Sequence, residues 1–123
     1  MADYYLENLP LSPSVNHVWK HRAVGRRAMV YMSKQGVEFR KKIAQIVKDK
    51  KLNLQLESRL QVRIEFCMPD KRKRDIDNYV KSAIDSLTHA GVWLDDSQID
   101  FLIVHRNRVV KGGLMHILVR EIL

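Results

Sequence analysis

From Leu60 to Met68 the chain alternates strictly. Leu60, Val62, Ile64, Phe66 and Met68 point one way, and Gln61, Arg63, Glu65 and Cys67 point the other. Side chains switch faces at every residue of a strand, so this pattern describes an extended segment with one buried face. Such a strand needs neighbours in a sheet and a layer packed on its apolar side. Pro69 and Asp70 stop it. The next periodic stretch has helical spacing. Ile76, Val80, Ala83, Ile84 and Leu87 form an apolar stripe, Asp77 is placed to cap the start, and Gly91 stands where a helix C-terminus favours glycine.

The remaining segments fit around these two. Tyr4 to Leu9 reads as a first strand, ended by Pro10, Leu11, Ser12 and Pro13. Ser14 to Arg27, with Asn16, His17, Trp19, Lys20, His21, Arg22, Arg26 and Arg27, is polar, basic and aromatic and reads as a loop. Ser33 is a candidate N-cap. Phe39, Ile43, Ile46, Val47 and Lys50 then follow helical spacing, predicting a basic amphipathic helix over 33–50 that carries Lys34, Arg40, Lys41, Lys42 and Lys48. Ile99 to His105 and Leu114 to Val119 are candidate strands, with Lys111-Gly112-Gly113 as the hairpin turn between them. The order β-α-β-α-β-β predicts an α/β (α+β) fold, a mixed sheet of about four strands with two packed helices. A length of 123 residues fits a single domain, 1–123.

Charge narrows the partner. Lys and Arg number 22 against 14 Asp and Glu, a net charge of +8, which points to a polyanion. No apolar run approaches the roughly 20 residues of a spanning helix, and the first ten residues lack the basic start of a signal peptide. A cytoplasmic location and no membrane partner are therefore expected. The single cysteine, Cys67, excludes a disulfide within the chain and a cysteine-rich zinc site, and nothing near it marks a nucleophile. His17, His21, His89, His105 and His116 have no metal-ligand spacing.

Against that basic background the acidic residues stand out. Lys71, Arg72, Lys73 and Arg74 run directly into Asp75 and Asp77, and Asp95 and Asp96 follow further on. An aspartate beside a phosphate-binding surface repels phosphate unless a divalent cation sits between them, reverses the local sign and activates a water. Asp77, Lys81 and Asp85 are spaced i, i+4, i+8 and share one helix face, read here as opposite Ile76, Val80 and Leu87. Mg²⁺ prefers oxygen ligands and keeps several waters, so two or three carboxylates suffice. Lys81 is placed to stabilise charge on a phosphate. The plainer readings make Asp77 an N-cap, an Asp77–Lys81 pair an ordinary helix ion pair worth about 0.3–0.5 kcal/mol, and Asp85 a solvated surface residue. The residues favour a metal-dependent nuclease. The alternatives are a non-catalytic basic nucleic-acid-binding module, or a nuclease acting on flaps or RNA.

Taken in order, a set of motifs resembles the RusA family of Holliday junction resolvases. The set is Leu9-Pro10, Pro13-Ser14-Val15-Asn16, Met68-Pro69-Asp70, Arg74-Asp75-Ile76-Asp77-Asn78, Lys81, Ala90 through Asp96, and Lys111-Gly112-Gly113. The resemblance spans nearly the whole chain. It implies a homodimer that binds four-way junction DNA and makes paired symmetric nicks with Mg²⁺, for which Mn²⁺ substitutes. It also implies that Asp75, Asp77 and Asp96 hold the metal, that Lys81 is the essential lysine, and that Asp95 supports them. Lys71, Arg72, Lys73, Arg74 and Asn16 are the expected DNA contacts.

Overall fold

The computed structural model describes residues 2–24 and 27–123. In chain order the elements are β1 (Asp3–Pro10), a single helical turn α1 (Val15–Val18), β2 (Trp19–Val24), β3 (Arg27–Met32), α2 (Lys34–Asp49), β4 (Arg59–Cys67), α3 (Asp77–Ala90), a 3-10 turn (Asp96–Gln98), β5 (Ile99–Arg106) and β6 (Leu114–Ile122). Four strands form one mixed sheet in the order β1-β6-β4-β5. The alternating segment is β4, inside that sheet, antiparallel to β6 and parallel to β5. Its residues Leu60, Val62, Ile64 and Phe66, with Met68 just beyond, are buried against Phe39, Ile43 and Val47 of α2 and Ala83 and Leu87 of α3. The two helical stripes and the strand pattern thus meet in one core. Trp93 closes it, its indole N–H donating to Thr88 Oγ1 at 2.7 Å, so the ring is buried without an orphaned donor. Truncating Leu87 to alanine would leave a cavity there, at a cost of about 2–5 kcal/mol.

The expected helices form with the expected ends, except one. Ser33 caps α2, its Oγ accepting from the Gly36 N–H at 3.1 Å. Gly91 ends α3 in the left-handed region at φ 85°, where a Cβ would be strained. The α3 start differs. Ile76 is the capping residue, no side chain bonds the free N–H groups, and Asp77 is the first helical residue.

Three expectations fail for definable reasons. The segment read as a loop from Ser14 to Arg27 is the turn α1 followed by β2, which pairs antiparallel with β3 from Trp19↔Met32 to Val24↔Arg27; Gly25 and Arg26 lie outside the described residues. This ribbon is a two-stranded sheet separate from the main one, and its sequence lacks the period-2 apolar pattern that marks β4. Lys111-Gly112-Gly113 is not a hairpin turn, because β4 lies between β5 and β6. The connection instead crosses the end of β4, with the Asn107 N–H bonded to Phe66 O and the Val110 N–H to Met68 O. Gly113, at φ 71°, passes so close to Leu11 that a Cβ would come within 2.9 Å of its side chain. Cys67, on the polar side of the alternation, is also buried, and burial pushes its thiol pKa up.

Candidate active site

The helix layer does not reach the β5 edge of the sheet. The register puts Leu102 beside Val62 and Val104 beside Ile64 on the core side, yet Leu102 is 45% exposed. The gap between α3 and β5 is an open groove of about 520 Å³. Its apolar lining is Ile76, Val80 and Ile84 of α3 with Leu102 and Val104 of β5. Asp77, Lys81, Asp85 and Asp96 are its charged residues. Ile76 and Val80 therefore border the acidic face and do not stand opposite it. Only Ala83 and Leu87 of the stripe are fully in the core.

Two devices bring the carboxylates together. Four-residue spacing along α3 aligns Asp77, Lys81 and Asp85. Asp96 arrives from the 3-10 turn, whose position is fixed by buried Gln98. The Gln98 amide donates to Leu56 O and Ser58 O at 2.8 Å each and accepts from the Leu94 and Asp95 N–H groups at 3.0 and 2.8 Å. Asp95 caps the same turn, accepting from the Ser97 N–H at 3.2 Å. Hydrogen bonds from Ser97, side chain first and then backbone, hold the Asp95 carboxyl below its ordinary range. Asp95 thus builds the corner, and Asp96 faces the groove.

Asp75 is exposed one residue before the helix cap and is not part of the groove lining; its carbonyl accepts from the Asn78 N–H at 3.2 Å. Lys71, Arg72 and Lys73 are exposed. Arg74 is not. Its side chain is 16% exposed and its Nη1 donates to Asp70 Oδ1 at 2.6 Å. Asn16 is exposed on α1, away from the groove lining. The segment leading to it is stitched to α3, Ser12 Oγ donating to Tyr79 O at 2.8 Å and Ser82 Oγ donating to Pro13 O.

Asp85 is a correction to the sequence reading. It is no solvated surface residue: its side chain is 25% exposed, and Oδ2 lies 3.5 Å from Lys81 Nζ. The ion pair expected between Asp77 and Lys81 is replaced by this one. Gln98 was also missed, although its place three residues after Asp95 has capping-box spacing.

Among the described residues, no three carboxylate, imidazole or thiol groups gather tightly enough to form a metal shell by themselves. Mg²⁺ does not require one. It is commonly held by one or two carboxylates, with waters and substrate phosphate oxygens completing the octahedron. Asp77 and Asp96, hard oxygen donors on an open groove, fit that chemistry.

Residues 9–119 match the family described as endodeoxyribonuclease RusA. The chain belongs to that family. Crossover junction endodeoxyribonuclease RusA of Escherichia coli is 38% identical over 117 residues, 95% of this chain and 94% of that one. The protein of the same name from Enterobacteria phage 82 is 37% identical over 121 residues, 98% and 97% of the two chains. The one from Enterobacteria phage HK97 is 39% identical over 114 residues, 93% and 92%. The matched residues 9–119 include α3, β4, β5 and every residue that lines the groove. Among the described residues no helix is long and apolar enough to cross a membrane.

Proposed function

We propose that the chain is a divalent-metal-dependent endonuclease that resolves four-way DNA junctions by paired symmetric nicks during recombination and repair, in the cytoplasm. The groove carries this reading: three aspartates and a lysine line one apolar cleft on a protein of net charge +8. The relatives' shared name supports the junction as substrate. Asp77 and Asp96 would hold the cation, and Asp75, two residues before Asp77, would supply a further oxygen. A divalent cation held there, Mg²⁺ or Mn²⁺ in its place, would supply Lewis-acid polarisation of the scissile phosphate and a more acidic water.

The chain's own residues supply the rest. The Lys81 ammonium, on a 61% exposed side chain, meets the phosphate and neutralises the charge that develops on its oxygens. Lys71, Arg72 and Lys73 contact phosphates of the bound arms and Asn16 adds a polar contact. Arg74, tied to Asp70, acts mainly by shaping the loop that presents its neighbours.

A four-way junction has two-fold symmetry, which a homodimer matches. The β5 edge suits the partner strand. Phe101, Leu102 and Ile103 are exposed there on both faces of an unpaired edge, whereas β1 is blunted by Pro10 and an irregular register between Leu6 and Leu9.

The test is incubation of purified protein with a four-way junction, a flap, a duplex and a structured RNA, with Mg²⁺ or EDTA. Junction cleavage that EDTA abolishes is the expected result. Binding without cleavage in Mg²⁺ and Mn²⁺ would make the chain a non-catalytic module. Preferential cutting of the flap or the RNA would move the activity to those substrates.

A further inference from the structure

We infer that Asp85 is a positioning residue, holding the Lys81 ammonium in the groove and away from the carboxylates that receive the cation. The inference rests on the reading of Lys81 as the group that meets the scissile phosphate.

Lys81 has an aspartate four residues away on each side. On a helix the better orientation places the acid N-terminal to the lysine, which favours Asp77. The structure makes the other choice. Lys81 Nζ lies 3.5 Å from Asp85 Oδ2, and among the described residues no ion pair joins Lys81 to Asp77 or Asp96. The two ends of the pair also differ in freedom: the Asp85 side chain is 25% exposed, the Lys81 side chain 61%. Asp85 is held because it lies between two helices. On its far side it lines a small cavity with Phe39 and Arg40 of α2 and Ser82 of α3. Packed beside α2, the Asp85 carboxylate has less room to move than the lysine, and the lysine rests against it.

The division of labour follows from charge. A lysine free to swing would settle on Asp77 or Asp96 and compete with the cation for their oxygens. With Asp85 as its own counter-ion, Lys81 stays in the groove while the other two carboxylates remain open. Ordering a long side chain before the substrate arrives also removes a cost from the chemical step.

The experiment is a single-turnover assay on a pre-bound four-way junction with saturating Mg²⁺, run on wild type, Asp85→Asn, Asp85→Glu, Lys81→Ala and the Asp85→Asn/Lys81→Ala double variant. Junction affinity and thermal unfolding are measured in parallel. Asp85→Asn is expected to slow cleavage on the order of 10–100-fold, the usual scale for a supporting partner of a reactive group. Affinity and unfolding temperature should stay near wild type, and Asp85→Glu should recover much of the rate. In the Lys81→Ala background, Asp85→Asn should add nothing, because its effect travels through the lysine. Additive losses, or a Mg²⁺ requirement that Asp85→Asn still raises in the Lys81→Ala background, would make Asp85 an independent group or a metal ligand and overturn the inference. An Asp85→Asn variant at wild-type rate beside an inactive Lys81→Ala overturns it alone. A fully active Lys81→Ala overturns the lysine's role first and this inference with it.

Discussion

Asp70 and Asp77 are near neighbours in sequence and are both flanked by cations, yet they do different work. Asp70 is closed by its own loop. Arg74 Nη1 donates to it at 2.6 Å and the Arg72 N–H at 2.9 Å. The Arg74 contact first, and the Arg72 backbone bond second, hold its pKa down to about 2. Among the described residues Asp77 and Asp96 have no ion-pair partner, and Asp77 does not cap its helix. A carboxylate whose oxygens are satisfied by the chain is a piece of architecture. One left open on an apolar groove of a basic protein is the kind of group we propose takes up a cation from outside. The position of Arg74 makes the same point from the other sign: part of the basic run serves the fold, and part is free for phosphate.

Substitutions can break that contrast. The largest effect is expected at the open residues. Asp77→Asn and Asp96→Asn should each lower junction cleavage by on the order of 10²–10³ or more, with junction affinity unchanged or higher because a negative charge is gone. Lys81→Ala should fall by a similar factor. Lys81→Arg should not restore it, since a planar fork does not replace a compact ammonium. Asp70→Asn should stay within a few-fold of wild type. If Asp70→Asn is as inactive as Asp77→Asn in the same gel assay, the division between closed and open carboxylates is wrong.

A smaller effect is expected on binding. Replacing Lys71, Arg72 and Lys73 by Gln should weaken junction and duplex binding together and flatten the salt dependence by up to roughly 2.7 log units per log unit, from about 0.9 per phosphate contact. Adding Arg74→Gln should flatten it no further. A further step of about 0.9 would show that Arg74 leaves Asp70 to meet the DNA. The smallest effect is on acid stability. The folded Asp70 pKa of about 2 lies below its ordinary 3.8, so its contribution is complete above 3.8 and is lost as pH falls toward 2. Urea unfolding from pH 5 to pH 2 should show wild type losing slightly more stability than Asp70→Asn. Parallel curves would mean that the Arg74 contact contributes nothing in solution.

Where burial imposes a period, the sequence was readable. β4, α2 and α3 lie where alternation and helical spacing put them, because each buries one face in the common core. The β2–β3 ribbon was not readable, because neither Trp19–Val24 nor Arg27–Met32 carries the apolar alternation that marks β4. The crossover after β5 was missed for a different reason. Two glycines look the same in a hairpin as in a longer connection, and only the pairing of β4 with both neighbours decides between them. Within the site, Asp77, Lys81 and Asp96 were legible as types at a spacing, and the structure brings them to one groove. The depth of Asp85 was not legible, since it depends on α2 packing beside α3. Nor was the capture of Arg74 by Asp70, an i, i+4 pair in a segment with no helical pattern to suggest it.

The central claim is that the open carboxylates of the groove take up a divalent cation. Mn²⁺ uptake by the protein bound to a four-way junction tests it most directly, read from the electron paramagnetic resonance signal of the free ion. The Lys81→Ala background keeps the junction uncut during the titration. The account predicts tight Mn²⁺ uptake beyond that of the junction alone for Lys81→Ala, and its loss in Lys81→Ala/Asp77→Asn with the junction still bound. Equal Mn²⁺ uptake by the two proteins would contradict it.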